Sequence, residues 1–182
     1  MADELKEEIV AHAEELSGEK RVDEAKESAD ELVKIDHKEA IAWFVKGRVH
    51  YEAGEFEEAL SAFSEAAKIA KENPEVWHML GYALISLRRY KEARDALEYV
   101  CKVQPENTEA RCALGIVFVI LGDGKAAREH ITAAVRQNRT VAAAMIEHFH
   151  DKFFGPSKDT SATTKALIDR CIEMIKVPPV IV

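Results

Sequence analysis

The sequence predicts an all-α fold in which antiparallel helix hairpins stack into a solenoid. Three observations carry this expectation. Ala, Glu, Lys and Leu dominate, while the 182 residues include only eight Gly and five Pro, a bias that favours helix throughout. Chosen residue types recur every 34 positions. The breakers Gly54, Gly122 and Pro105 fall between helical stretches, where a left-handed glycine or a proline ends a helix at little cost.

The recurrence is specific. Trp43 and Trp77 are 34 residues apart, as are Gly47, Gly81 and Gly115. Ala59, Ala93 and Ala127 keep the same spacing, and so do Phe63, Leu97 and Ile131, and Ala66, Val100 and Ala134. Small residues belong where the two helices of a hairpin (A, then B) cross closely. Trp43, Trp77, Leu80, Leu114 and Phe118 belong in the space between neighbouring helices. This pattern resembles the tetratricopeptide repeat (TPR), whose signature spreads Trp, Leu-Gly, Ala, Phe, Ala and Pro over 34 residues.

The resemblance implies a TPR α-solenoid, with the following elements in order. Residues 1–39, with Ile9, Ala13, Ala25 and Leu32, fit a degenerate amino-terminal hairpin with a longer turn around "SGEKR". Terminal repeats are commonly atypical, because they cap the stack. Full repeats are expected at 40–73, 74–107 and 108–141. In the third, the run "ALGIVFVIL" has β-branched content that suggests a strand, yet the register assigns it to a helix A. Residues 142–154 read as a capping helix with the stripe Met145, Ile146, Phe149 and Phe153. The final stretch, 155–182, reads as the loop "GPSKDT", an amphipathic helix bearing Leu167, Ile168, Cys171, Ile172 and Ile175, and the apolar tail "VPPVIV".

Composition excludes several functions. Hydrophobic content of 47% with 32% charged residues is that of a folded, soluble protein. The net charge of −8 is concentrated in residues 1–39, which hold fourteen acidic and six basic side chains. No basic face is available to neutralise phosphates, so nucleic acid is not an expected partner. Cys101, Cys112 and Cys171 show no paired spacing and read as apolar fillers in a reducing compartment. "MADELKEEIV" lacks the pattern of a signal peptide. The longest apolar run, Cys112 to Leu121, is about half of the ~20 residues a membrane span needs. A cytoplasmic protein with no membrane partner is expected.

Catalytic signatures are missing: there is no phosphate-binding glycine loop, GxSxG or HExxH. Glu75/His78 and Glu147/His150 have a di-metal spacing, but such pairs must face one another across a bundle, and a stack separates these. In "EHFHD", His148 and His150 point to different helix faces, so Glu147 and Asp151 complete no ligand set. Neither an enzyme nor a bound metal or other cofactor is expected.

The resemblance instead places function on the concave surface lined by helices A. Its inward positions, carried over by register, are Ile41, Phe44, Arg48, Tyr51 and Glu52 in the 40–73 repeat, and Glu75, His78, Tyr82, Ile85 and Ser86 in the next. The 108–141 repeat supplies Glu109, Cys112, Ile116, Val119 and Ile120, and the first hairpin Glu7, Val10, Glu14 and Ser17. TPR domains that hold chaperone carboxyl termini use a clamp of Lys, Asn and Arg. The corresponding places here hold Val10, Glu14, Val45, Glu75 and Met79, or in the next frame Phe44, Arg48, Met79, Glu109 and Ala113. Neither set forms a cationic cradle for a terminal carboxylate.

The expected function is therefore a non-enzymatic scaffold or adaptor, of which a chaperone-like role toward a client is one form. It binds an apolar or amphipathic helix or extended peptide through Phe44, Arg48, Tyr51, His78, Tyr82, Ile85, Cys112, Ile116, Val119 and Ile120. The alternative is a self-assembling structural subunit, a homo-oligomer whose groove is covered by its own or a neighbour's carboxyl-terminal segment.

Overall fold

The computed structural model describes residues 9–13, 15 and 21–153. Among the described residues every regular element is an α-helix. Beyond the helical turn at 9–13 these are α1 (Val22–Ile35), α2 (Ala40–Glu52), α3 (Phe56–Ile69), α4 (Pro74–Ser86), α5 (Tyr90–Val103), α6 (Thr108–Leu121), α7 (Gly124–Gln137) and α8 (Arg139–Phe153). None of these helices is long and apolar enough to cross a membrane. Glu7, Glu14, Ser17, most of "SGEKR", the side chains of His150, Asp151 and Phe153, and all of 155–182 lie outside the described residues. The chain forms two compact units, Met1–Arg89 and Tyr90–Val182.

In the first unit, the 9–13 segment, α1 and α2 share one core: Ala13, Ala25, Ala29, Leu32, Ala42, Val45 and Val49, with Ile9, Val10 and Val33 packed against it. Small side chains on α1 let the helices approach, and Leu32 fills the middle. An ion pair joins the same helices, Lys46 to Asp30 at 2.6 Å, and Lys26 of α1 reaches Glu55, just before α3, at 2.6 Å. Glu55 also meets His50 Nδ1 at 2.7 Å. The Lys26 ammonium, and then His50, hold its carboxyl below the usual carboxylate range.

The α2–α3 hairpin turns on one close approach. A Cβ on Gly47 would lie 2.6 Å from two ring carbons of Phe63, which is fully buried. Phe44 packs on the same ring, at 5.8 Å between centroids. Burying a side chain the size of Phe63 contributes about 1.5–3 kcal/mol, so hydrophobic burial drives the contact and the glycine makes room for it. The second unit repeats the device: a Cβ on Gly115 of α6 would meet Ile131 Cγ1 of α7 at 2.6 Å.

Three A–B turns among the described residues each contain one residue with positive φ: Gly54 at +79°, Arg88 at +60° and Gly122 at +83°, again 34 residues apart. The following amide closes the turn in all three, as in Glu55 N–H to His50 O, Arg89 N–H to Leu84 O and Asp123 N–H to Phe118 O. The backbone geometry is conserved along the chain even where the glycine is not. Asparagines start several helices, with Asn73 accepting from the Glu75 amide and Asn107 from the Ala110 amide, both at 2.9 Å.

A second clasp joins each helix A to the loop before it. Trp43 Nε1 donates to His37 O at 2.8 Å, and Trp77 Nε1 to Lys71 O at 2.7 Å. In the next copy Arg111 occupies the tryptophan's place, and its Nη2 donates to Pro105 O at 2.5 Å. Gln137 Nε2 donates to the same carbonyl at 2.6 Å. The donor survives the change of side chain because the carbonyl needs one.

In the second unit, α6 touches α5, α7 and α8. It is buried almost all round: Ala110, Cys112, Ala113, Leu114, Gly115, Ile116, Val117 and Val119 are inside. That explains the apolar run within a charged chain, because a helix flanked on several sides has little water-facing surface to furnish.

Two substitutions test these contacts. Gly47→Ala gains up to about 1 kcal/mol of helix propensity but overpacks a ring that has no room to retreat, a penalty of about 1–3 kcal/mol. The expected outcome is a lower midpoint in urea with an unchanged slope. Arg88→Gly relieves an L-residue held in left-handed backbone and is expected to raise the stability by about 0.5–1 kcal/mol, seen as a rise in Tm.

Candidate functional site

The residues expected to line a groove divide sharply once placed in the fold. Phe44 is buried against Phe63. Ile85 is buried on α4. Cys112 is fully buried, its Sγ 3.7 Å from the Ala142 carbonyl of α8. Ile116 and Val119 retain only 3% and 2% of their exposure. None of these five faces solvent, and the reason is packing: α2 closes on α3 at Phe44, and α6 is enclosed by its neighbours. Ile120 is half-buried on α6.

The remaining four residues form a strip in the first unit. Arg48 and Tyr51 on α2, and His78 and Tyr82 on α4, are all half-buried. Helices α2 and α4 touch along this face, where Ser86 Oγ donates to Tyr51 Oη at 3.4 Å. The His78 and Tyr82 rings pair at 4.6 Å, one helical turn apart. Tyr51 is braced from behind by Phe56, at 5.4 Å. Glu52 lies 3.8 Å from Arg48. At the start of α2, Ile41 is 44% exposed, which makes it the open apolar side chain on this helix. The strip is therefore aromatic and amphipathic, held rigid by the helices that carry it.

His78 is the chemically unusual member. Its Nε2 is buried with no hydrogen-bond partner among the described residues. Burial lowers its pKa to about 4, so the ring is neutral near pH 7. A polar atom in that state accepts or donates a hydrogen bond if a ligand supplies the other half.

A second polar cluster lies in the other unit. His130 on α7 stacks on Phe118 at 5.4 Å. Its Nδ1 and the Nε of Arg111 are both buried without partners among the described residues. Burial lowers the His130 pKa, and raises that of the nearby Cys101 thiol to about 11, so this cysteine is not a nucleophile near neutral pH. Sequence reading missed Arg111, although its place 34 residues after Trp77 was a signal available for finding it.

The second metal candidate reaches His150 and Asp151, whose side chains lie outside the described residues. Glu75 and His78 share α4, and Glu147 and His148 are exposed on α8. Among the described residues no group of three or more His, Cys, Asp or Glu is arranged to hold a metal ion. Two concavities of about 610 and 590 Å³ lie on helices B instead of on the strip, one over α3 at Leu60 and Ser64, the other over α7 at Arg128 and Thr132.

A family model described as anaphase-promoting complex, cyclosome, subunit 3 matches residues 19–100, and a tetratricopeptide repeat model matches residues 78–143. The chain carries tetratricopeptide repeats. Solved TPR structures agree with the hairpin fold. PilF of Pseudomonas aeruginosa superposes with a TM-score of 0.71 at 19% identity, over 96% of this chain and 86% of that one. YrrB, described as a TPR protein with an unusual peptide-binding site, gives 0.67 at 21% identity, over 91% and 84%. The first TPR of Spaghetti, bound to the HSP90 peptide SRMEEVD, gives 0.62 at 18% identity, over 64% and 93%. No curated protein sequence matches. At these identities the structures establish the fold of this TPR protein and nothing of its ligand.

The buried imidazole gives a pH test. The folded pKa of His78 lies below the usual histidine value, so between about pH 6.5 and 4 the unfolded chain takes a proton that the folded chain refuses. The stability that this neutral ring contributes is present above that window and is lost as pH falls through it. Wild type is expected to lose about 1–2 kcal/mol more than His78→Phe between pH 7 and pH 5, measured by urea unfolding at each pH.

Proposed function

We propose that this TPR protein is a non-enzymatic interaction scaffold whose α2–α4 strip receives an amphipathic segment of a partner protein. The observation that carries this reading is the strip itself. Arg48, Tyr51, His78 and Tyr82 are half-buried on two touching helices, beside the exposed Ile41. Rigid aromatic side chains supply contact area at a low entropic cost, and interface anchors are enriched in Tyr and Arg. Two of the structurally similar proteins are described through peptide binding, which supports a peptide as the ligand class.

A terminal-carboxylate clamp does not suit this chain. Val45, at one of the clamp places, is buried in the core, and Glu75 is an exposed acid at another. An internal segment of a partner, read by apolar and aromatic contact, fits better. The strip carries no step of bond chemistry, and the reading needs none.

Placement within the fold also determines the right variant for a test. Substituting Asp at Ile116 would bury a charge inside α6 and unfold the second unit, so capture by that variant would report folding instead of binding. Tyr51→Asp with Tyr82→Asp is the informative pair, since both positions are partly open. Partner proteins retained by wild type on an affinity column are expected to be released by the double variant, with the helical far-ultraviolet circular dichroism of the two proteins superimposable. Equal retention by both would sink the reading.

A further inference from the structure

We propose that the strip on the first unit selects a cationic amphipathic segment: apolar along its centre, with Lys or Arg along its margins. This deepens the reading above and rests on it. The first argument is charge. Residues 1–89 carry twenty-one acidic and twelve basic side chains, whereas residues 90–182 carry twelve and thirteen. The whole acidic excess of the chain therefore belongs to the unit that holds the strip.

Five of that unit's twelve bases sit in ion pairs with its own carboxylates. Arg21 pairs with Glu24, Lys26 with Glu55, Lys46 with Asp30, Arg48 with Glu52 and Lys68 with Glu65. Those pairs take equal numbers of acids and bases, so the unit's negative balance is unchanged by them, although Lys34, Lys38, Lys71, Arg88 and Arg89 are also exposed. A field of that sign raises the local concentration of cationic segments and repels acidic ones, within about 10 Å of the surface at 0.1 M salt.

The strip has the same sign. Glu52 is exposed at the end of α2, beside Tyr51, and Glu75 is exposed at the start of α4. The one guanidinium on the strip, Arg48, is already next to Glu52. His78 adds no charge near neutral pH, because its burial keeps the ring unprotonated. At about 1.5 Å per residue, Glu75 stands about 16 Å along α4 from Ser86, and Ser86 touches Tyr51. The two carboxylates thus flank an aromatic centre about three helical turns long. Tyr51 and Tyr82 are both partly open, and aromatic rings of this kind attract Lys and Arg side chains.

Three synthetic helix-forming peptides test the proposal on the full chain by fluorescence anisotropy. They share one Leu face about three turns long, and their flanking positions are all Lys, all Gln or all Glu. The Lys peptide is expected to bind at least about tenfold more tightly than the Glu peptide at low salt, and that advantage to shrink as salt is raised. In Glu52→Gln with Glu75→Gln, the Lys advantage is expected to fall severalfold while affinity for the Gln peptide holds. Equal affinity for the Lys and Glu peptides, or a Lys advantage untouched by the double variant, would overturn the charge selection and leave the docking strip standing. Undiminished binding of the Lys peptide to Tyr51→Asp with Tyr82→Asp would show adsorption to the acidic surface elsewhere, and would also overturn it. Failure of all three peptides to bind would sink the docking reading along with it.

Discussion

A bare Cα at positions 47 and 115 allows one helix of each hairpin to settle onto the other, with Phe63 and Ile131 filling the space a Cβ would take. Much of the local architecture follows from that approach. The short distance fixes which face of each helix turns inward, and with it the faces left for neighbours and for solvent. It also sets the length of the A–B turn, which is why φ at 54, 88 and 122 falls in the same region although only two of those residues are glycine. The contact is hydrophobic in origin, and the small residue is permissive. Neither half works without the other.

The clasp between helix A and the preceding loop shows a different kind of constraint, set by a carbonyl that needs a donor and not by a volume that needs filling. Two indoles and one guanidinium satisfy equivalent carbonyls at 37, 71 and 105. An indole does so with one N–H and an apolar body. A guanidinium does so with donors to spare, and one of them, Arg111 Nε, ends buried and unpartnered beside an equally unpartnered His130. The substitution keeps the hydrogen bond but replaces an apolar body with a charged group, one of whose other donors, Nε, has no acceptor among the described residues.

The fold was legible because the residues that enforce it recur at one spacing and tolerate few alternatives. Gly47 and Gly115 could be placed at helix crossings from register alone, and the fold adds that Phe63 and Ile131 stand against them. The candidate site was legible only in part, because register gives a residue's direction around its helix and says nothing of what stands opposite. Tyr51 and Ile116 belong to the same kind of helix-A position, yet one is half-open and the other is closed. Their helices differ in surroundings: α8 packs broadly on α6, which is apolar to match, whereas α4 touches α2 only lightly and α2 mixes Arg48, His50 and Glu52 into its length. Arg111 escaped notice for the opposite reason. It departs from the tryptophan column, and only the coordinates show that its hydrogen bond does not.

The distinction between those two helices also bears on where recognition belongs. A helix enclosed on all sides contributes stability, and its apolar run gives a partner nothing to hold. A helix with one partly open face, carrying rings fixed by packing from behind, presents area without first having to order it. Phe56 behind Tyr51 and the His78–Tyr82 pair do this on α2 and α4. The polar groups among them are few and placed at intervals, so a ligand that matches them gains more than one that merely covers the surface. The longest hydrophobic stretch in the sequence thus belongs to the interior of this protein, and a shorter, mixed face of Tyr, His, Arg and Glu is the one proposed for recognition.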